Sequence, residues 1–241
     1  MNSIWIIAKR ELNAYFDSLI AYFMLILFLG FSGFFTWLYG NDIFLINQAT
    51  LQGFFGIAYW TLFFFIPAIT MRLIAEEKKT GTIELLLTKS ITDRQVILGK
   101  FFSAVLLIGI ALVCTLPYVV TVASLGNLDN GEVINGYIGL MLISATYISI
   151  GIYASSITSN QIIAFLSALF IGLMFHIIFG VISSNLTGFV GELFNMLSVS
   201  THFESIQRGV IDSKDLVYFI SIIVLGLFMA EVSLSKRKIA G

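Results

Sequence analysis

Apolar runs of helical length dominate the chain. Six stretches, at about residues 19–39, 54–74, 100–123, 134–155, 161–182 and 216–234, are almost free of charge. Each approaches the roughly 20 residues that a helix needs to cross a bilayer core. The predicted fold is an all-α integral membrane protein with six transmembrane helices. Residues 1–18 carry a different pattern. Ile4, Ile7, Ala8, Leu12, Tyr15 and Phe16 recur at helical spacing, while Lys9, Arg10, Glu11 and Asn13 occupy other faces. That pattern predicts an amphipathic helix lying on the membrane surface.

The polar breaks differ in character. Between the second and third runs, Gly81 interrupts a charged stretch and Thr82 can start a new short helix with Leu85, Leu86 and Leu87 on its apolar side. Thr92 with Gln95 can form a capping box for the third span. Residues 155–161 make a short uncharged turn, which predicts that spans four and five are close antiparallel neighbours and offers a second, smaller contact surface. In segment 183–215, Leu186, Phe189, Val190, Leu193, Phe194 and Leu197 step at three and four. This apolar face is too short to span and predicts a helix in the outer leaflet. Thr201 with Glu204 is read as a capping box for a second short helix, Gly209 as its end, and Ser213 as the cap of the last span.

Charge then orients the bundle. Lys9, Arg10, Arg72, Lys78, Lys79, Lys89, Arg94, Lys100, Lys236, Arg237 and Lys238 fall on one side, and only Arg208 and Lys214 on the other. Acidic residues divide evenly, so the bias lies in the basic residues alone. It predicts that both termini and the region 75–99 are cytosolic. The hydrophobic content of 58% against 11% charged residues excludes an ordinary water-soluble domain, and Cys114 stands alone. The run after Lys9 and Arg10 is too long for a signal-peptide core and predicts a retained first helix. No concentrated basic patch favours nucleic acid, and no acidic or polar stripe favours a hydrated channel. His176, within the fifth span, lacks neighbours at metal-ligand spacing. It is read as a packed neutral side chain, with a substrate or proton role as the alternative. Pro67 and Pro117 are predicted to bend their helices and to help gating.

Three separated motifs resemble the permease subunits of ABC-2-type transporters. The first runs from Pro67 through Met71-Arg72-Leu73-Ile74-Ala75-Glu76-Glu77 and Gly81-Thr82-Ile83-Glu84-Leu85-Leu86-Leu87-Thr88. The second is Lys9-Arg10-Glu11-Leu12 with Tyr15-Phe16-Asp17-Ser18. The third is His202-Phe203-Glu204-Ser205 with Arg208-Gly209-Val210-Ile211-Asp212 and Asp215-Leu216-Val217-Tyr218-Phe219, leading into the final span. Within that family the chain looks most similar to gliding-motility-associated permeases of Bacteroidota and to the permeases of nitrous-oxide-reductase maturation. It departs from the common pattern at Leu19 and Ser90, where relatives commonly carry Pro.

The resemblance implies a single permease domain of type V architecture over residues 1–241, with an elbow helix at 1–18 and short external helices at 183–215. It implies an ATPase-coupling role for Arg72, Glu76, Glu77, Gly81, Thr82, Glu84, Leu85 and Leu86. It also implies a bacterial inner-membrane location, two copies of a cytosolic ATPase subunit that carries ATP and Mg, and a second permease subunit. That subunit is expected to be a larger relative with an external domain, or otherwise a second copy of this chain. No GxxxxGK[ST] run occurs in the chain, so nucleotide hydrolysis is expected of the partner. The expected activity is export or the energising of an envelope machine, with a non-transporting scaffold as the alternative. Phe, Leu and Ile in the spans favour an apolar or amphipathic substrate.

Overall fold

The computed structural model describes residues 3–38, 48–82, 91–209 and 212–236. Every regular element among them is a helix. Six helices or helix pairs are long and apolar enough to cross a membrane: Ile20–Trp37, Gln52–Thr80, Asp93–Leu125, Asn130–Ile157, Gln161–Asn185 and Ser213–Ser235. The predicted architecture is therefore present.

In chain order, α1 (Ser3–Asp17) is the surface helix and α2 (Ile20–Trp37) the first span. Next come α3 (Gln52–Thr70) and the short α4 (Ala75–Thr80). The third span is α5 (Asp93–Val113) with α6 (Leu116–Leu125), and α7 (Asn130–Ile157) is the fourth. The fifth is α8 (Gln161–Leu173), a π turn (Met174–Ile178) and α9 (Phe179–Asn185). The short α10 (Phe189–Leu197) and α11 (Val199–Gln207) precede α12 (Ser213–Ser235).

The core forms around α7. In its apolar 18-residue stretch 72% of residues are buried, against 11% in that of α12 and 28% in that of α2. A helix buried on nearly all sides suits a sequence rich in small residues. Gly136, Gly139, Ser144, Ser149 and Gly151 are all buried in α7, and such residues let neighbouring backbones approach closely. The Asp129 carboxylate starts α7 by accepting from the backbone N–H of Gly131 and Glu132.

Several helix ends match their sequence signals. Thr92 and Gln95 form the reciprocal capping box of α5. Asn160 caps α8 by accepting from Ile162 N–H. Gly209, at φ 92°, follows the end of α11. The reading of the other side of the bundle needs three corrections. First, α11 begins at Val199, so Thr201 lies inside it; the Thr201 hydroxyl donates instead to Asn195 Oδ1 at 2.9 Å. Second, Asp212, not Ser213, caps α12, because its carboxylate reaches Lys214 N–H. Third, Leu186 lies outside α10, which is nine residues long.

The two prolines behave differently. Pro67 sits inside α3 and deprives the Phe63 carbonyl of its helical N–H partner. Pro117 lies in the first turn of α6, after α5 has ended at Val113, so the third span is broken rather than merely bent.

Candidate functional site

The basic residues gather with the most elaborate polar packing at one end of the bundle. There α1 lies against α5, burying Ile7 and Ala8. The seat is shaped by Gly99: a Cβ at that position would lie 2.6 Å from Ile7 Cγ2. One residue on, Lys100 is 1% exposed. A buried ammonium requires paired charge. Lys100 Nζ donates to Glu77 Oε1 at 2.7 Å and lies 3.4 Å from Glu11 Oε2. Arg10 contacts Glu11 at 2.5 Å and reaches Glu77 at 3.9 Å. Two cations and two carboxylates thus form a neutral quartet that joins α1, α4 and α5.

The quartet alters the groups around it. Burial pushes the Glu11 carboxyl up, but the Lys100 ammonium and Arg10 guanidinium more than offset this and leave it below its ordinary value. Burial, reinforced by the Glu11 carboxylate, raises the nearby Tyr15 hydroxyl far above its ordinary range, so Tyr15 remains neutral. A cavity of about 360 Å³ opens beside these groups, lined by Glu11, Tyr15, Arg72, Glu76, Glu77 and Lys100 among others.

Helix α4 and the residues on either side of it hold the described part of the predicted coupling motif. Arg72 and Glu76 form an ion pair at 2.9 Å, one helical turn apart. Gly81 ends α4 at φ 71°, the left-handed geometry that glycine adopts without strain. Thr82 follows, and its hydroxyl lies 2.9 Å from that of Thr80. Glu84, Leu85 and Leu86 lie outside the described residues, as does the short helix expected after Thr82. Of the elbow residues, Lys9 is exposed, Tyr15 is buried, and Phe16 packs edge-on to Tyr22 with ring centroids 5.6 Å apart.

The start of α4 is held from a distance. Its N-cap position is Ile74, which has no side chain able to cap. The backbone N–H groups of Ile74 and Ala75 donate instead to Ser155 Oγ, at 3.1 and 2.9 Å. Ser155 Oγ in turn donates to the Met71 carbonyl at 3.0 Å. The next carbonyl, that of Ser156, accepts from Lys78 Nζ and from Ser233 Oγ. Sequence reasoning marked the 155–161 turn as a secondary contact but missed these serines. The available signal was the uncapped start of α4, whose orphan N–H groups must find an acceptor elsewhere.

His176 lies far from this junction, inside the fifth span, and is 2% exposed. Its ring stacks on Tyr59 and Phe63, and its Nδ1 lies 2.5 Å from Tyr147 Oη. Ala164, Ala168, Gly172 and His176 are buried at four-residue intervals. Such intervals overrun a 3.6-residue turn, and the wider π turn at Met174–Ile178 absorbs the excess. Between α2 and α3 lies a separate apolar cleft of about 380 Å³, whose walls include Phe31, Phe35, Trp60 and Phe64.

The residues of the third motif pack at the end opposite the quartet. Phe203 stacks on Tyr59, and the Arg208 guanidinium donates to the Glu204 carbonyl. His202 is buried with Nδ1 2.6 Å from Asp215 Oδ1 and Nε2 3.0 Å from the Met196 carbonyl. A carbonyl only accepts, so Nε2 carries a proton. The structure therefore brings Arg10, Glu11, Arg72, Glu76 and Glu77 together, and keeps His176 and His202 apart from them.

Residues 5–210 match the family model described as ABC-2 family transporter protein. No curated protein matches the chain.

Proposed function

The chain belongs to the ABC-2 family of transporter proteins, and on that premise we propose that it is the membrane permease subunit of a complex driven by a separate cytosolic ATPase. Members of this family are non-catalytic permease components, so nucleotide hydrolysis falls to the partner. In this reading the basic end faces the cytosol, and both termini lie there. The concentration of basic residues at that end supports it. The ATPase docks on α4 and residues 83–90, with Glu84 as a principal contact.

The observation that carries this reading is the way α4 is built into the bundle. A short helix at the basic end, tied to α1 and α5 through the quartet and to α7 through Ser155, passes a push from below into several spans. Closure of an ATPase pair on ATP supplies that push, and the two arrangements of the bundle differ in access to a membrane cavity. The apolar α2–α3 cleft suits an apolar or amphipathic substrate. Within the family, the likeness of the three motifs to gliding-motility-associated permeases supports reading the chain as a permease of that kind. A larger second permease then completes the complex, which exports a substrate or energises an envelope machine.

Co-expression with the neighbouring ATPase and permease genes tests this reading. Purification in mild detergent should yield a complex that hydrolyses ATP and falls apart when Glu84 is changed to Lys. A stable permease that recruits no ATPase would overturn it.

A further inference from the structure

We propose that Ser155 is a positioning residue that carries the coupling stroke from α4 into α7, the central helix of the bundle. The inference rests on the coupling reading and adds a route to it. By chain connectivity, α4 belongs to the second span, and a push on it would be expected to tilt α3 and α5. Besides the Lys100–Glu77 bond to α5, its hydrogen bonds lead to α7.

Residues 71–74 form a non-helical turn between α3 and α4. This turn weakens the direct helical link between the two. Ser155, fully buried near the end of α7, replaces that link. A hydroxyl offers one donor and two acceptor positions, and Ser155 uses all three on this turn: two accepted bonds from Ile74 and Ala75, and one donated to Met71. The neighbouring Ser156 carbonyl is one of the unpaired carbonyls at the end of α7. It accepts Lys78 from α4 and Ser233 from α12. Four hydrogen bonds therefore fix α4 and the turn before it on α7, and a fifth fixes α12 on the same point. Because α7 is the most enclosed span, movement at its end must displace its neighbours.

The test uses the complex with its ATPase in lipid nanodiscs, in a Cys114→Ser background. One spin-label pair, Ile134→Cys with Leu38→Cys, reports α7. A second pair, Lys79→Cys with Asn13→Cys, reports α4. Distances are compared between the nucleotide-free state and the state trapped with ATP and vanadate. Both pairs should shift in the parent protein. With Ser155→Ala the α4 pair should still shift and the α7 pair should not, and Ser155→Thr, which keeps the hydroxyl, should restore the α7 shift. Lys78→Met, which spares the Ser155 bonds, should diminish the α7 shift and serves if Ser155→Ala does not assemble.

An α7 shift that persists unchanged in Ser155→Ala, or in Lys78→Met where that variant stands in, overturns the route. So does a parent protein in which α4 moves and α7 stays still; either result leaves the coupling reading intact. If neither pair responds in a complex that hydrolyses ATP, the coupling reading fails and the route falls with it.

Discussion

Lys100 places its ammonium 2.7 Å from the Glu77 carboxylate, joining α5 to α4 at a point where Lys100 is 1% exposed. Such a pair adds little over a well-packed apolar alternative, but removing one partner strands the other charge. Lys100→Met leaves Glu77 and Glu11 with only the half-exposed Arg10, which lies 3.9 Å from Glu77. It should cost about 3–5 kcal/mol, read as a fall in unfolding free energy in detergent. Glu77→Gln should cost less, because Glu11 still lies 3.4 Å from Lys100. The double variant should lose less than the sum of the two. Additive losses would show that the quartet does not act as a unit.

Glu11 gives the junction a pH dependence of predictable sign. Its carboxyl sits below its ordinary value of 4.5, because Lys100 and Arg10 outweigh the effect of burial. A depressed carboxylate contributes stability that is fully present above the unfolded value and is lost as pH falls through the folded one. The α1 contact should therefore be constant from neutral pH down to about 4.5 and weaken below it. Thermal melts from pH 7 to pH 3 should show this, and Glu11→Gln should flatten the acid limb. An unchanged acid limb in that variant would remove Glu11 from the account.

What could be read from the sequence, and what could not, follows from the range of each interaction. The spans and the Thr92–Gln95 box depend on residues within a few turns of each other, so periodicity and spacing reveal them. The Ser155 cap joins positions about 80 residues apart, and nothing local at Ser155 distinguishes it from other serines in the spans. Lys100 was visible as a boundary residue, but its burial depends on Gly99 admitting Ile7 of α1. The π turn has no residue signature of its own; it follows from four-residue burial steps that emerge only once the neighbours are in place. Ser213 was misplaced because serine and aspartate compete for the same cap, and one residue of shift at the helix start decides which succeeds; Thr201 was misplaced because α11 already starts at Val199, with Ser198 at its N-cap and no side-chain cap.

Leu19 occupies left-handed backbone, at φ 60°, between α1 and α2. That geometry costs a residue with a Cβ about 1–2 kcal/mol. It also accounts for the absence of proline here, since a proline ring holds φ near −65°. The side chain is exposed, so its loss removes little packing. Leu19→Gly should stabilise the protein by about 0.5 kcal/mol, after the greater chain entropy of glycine is set against the relieved strain. Leu19→Pro should destabilise by about 3 kcal/mol. A Leu19→Pro variant as stable as the parent, measured by denaturant unfolding, would mean the α1–α2 corner has a different geometry.

Tyr147 and His176 provide a way to separate a packing role from a functional one inside the membrane. Their hydrogen bond is 2.5 Å long, and both side chains are buried. Tyr147→Phe leaves Nδ1 without its partner, and His176→Phe strands the tyrosine hydroxyl. Each should cost about 1–3 kcal/mol, because a buried polar group has lost its only exchange for water. Replacing both should cost less than either alone, because the two polar groups leave together and a phenyl ring can take the place of imidazole beside Tyr59 and Phe63. Thermal unfolding of the four proteins gives this cycle. If the double variant is stable and the assembled complex keeps its ATP-driven activity, His176 is a packing residue that Tyr147 satisfies at Nδ1 while its buried Nε2 has no hydrogen-bond partner among the described residues. If the double variant is stable but that activity is lost, His176 has a task beyond packing, and the π turn that seats it belongs to the working parts of the permease.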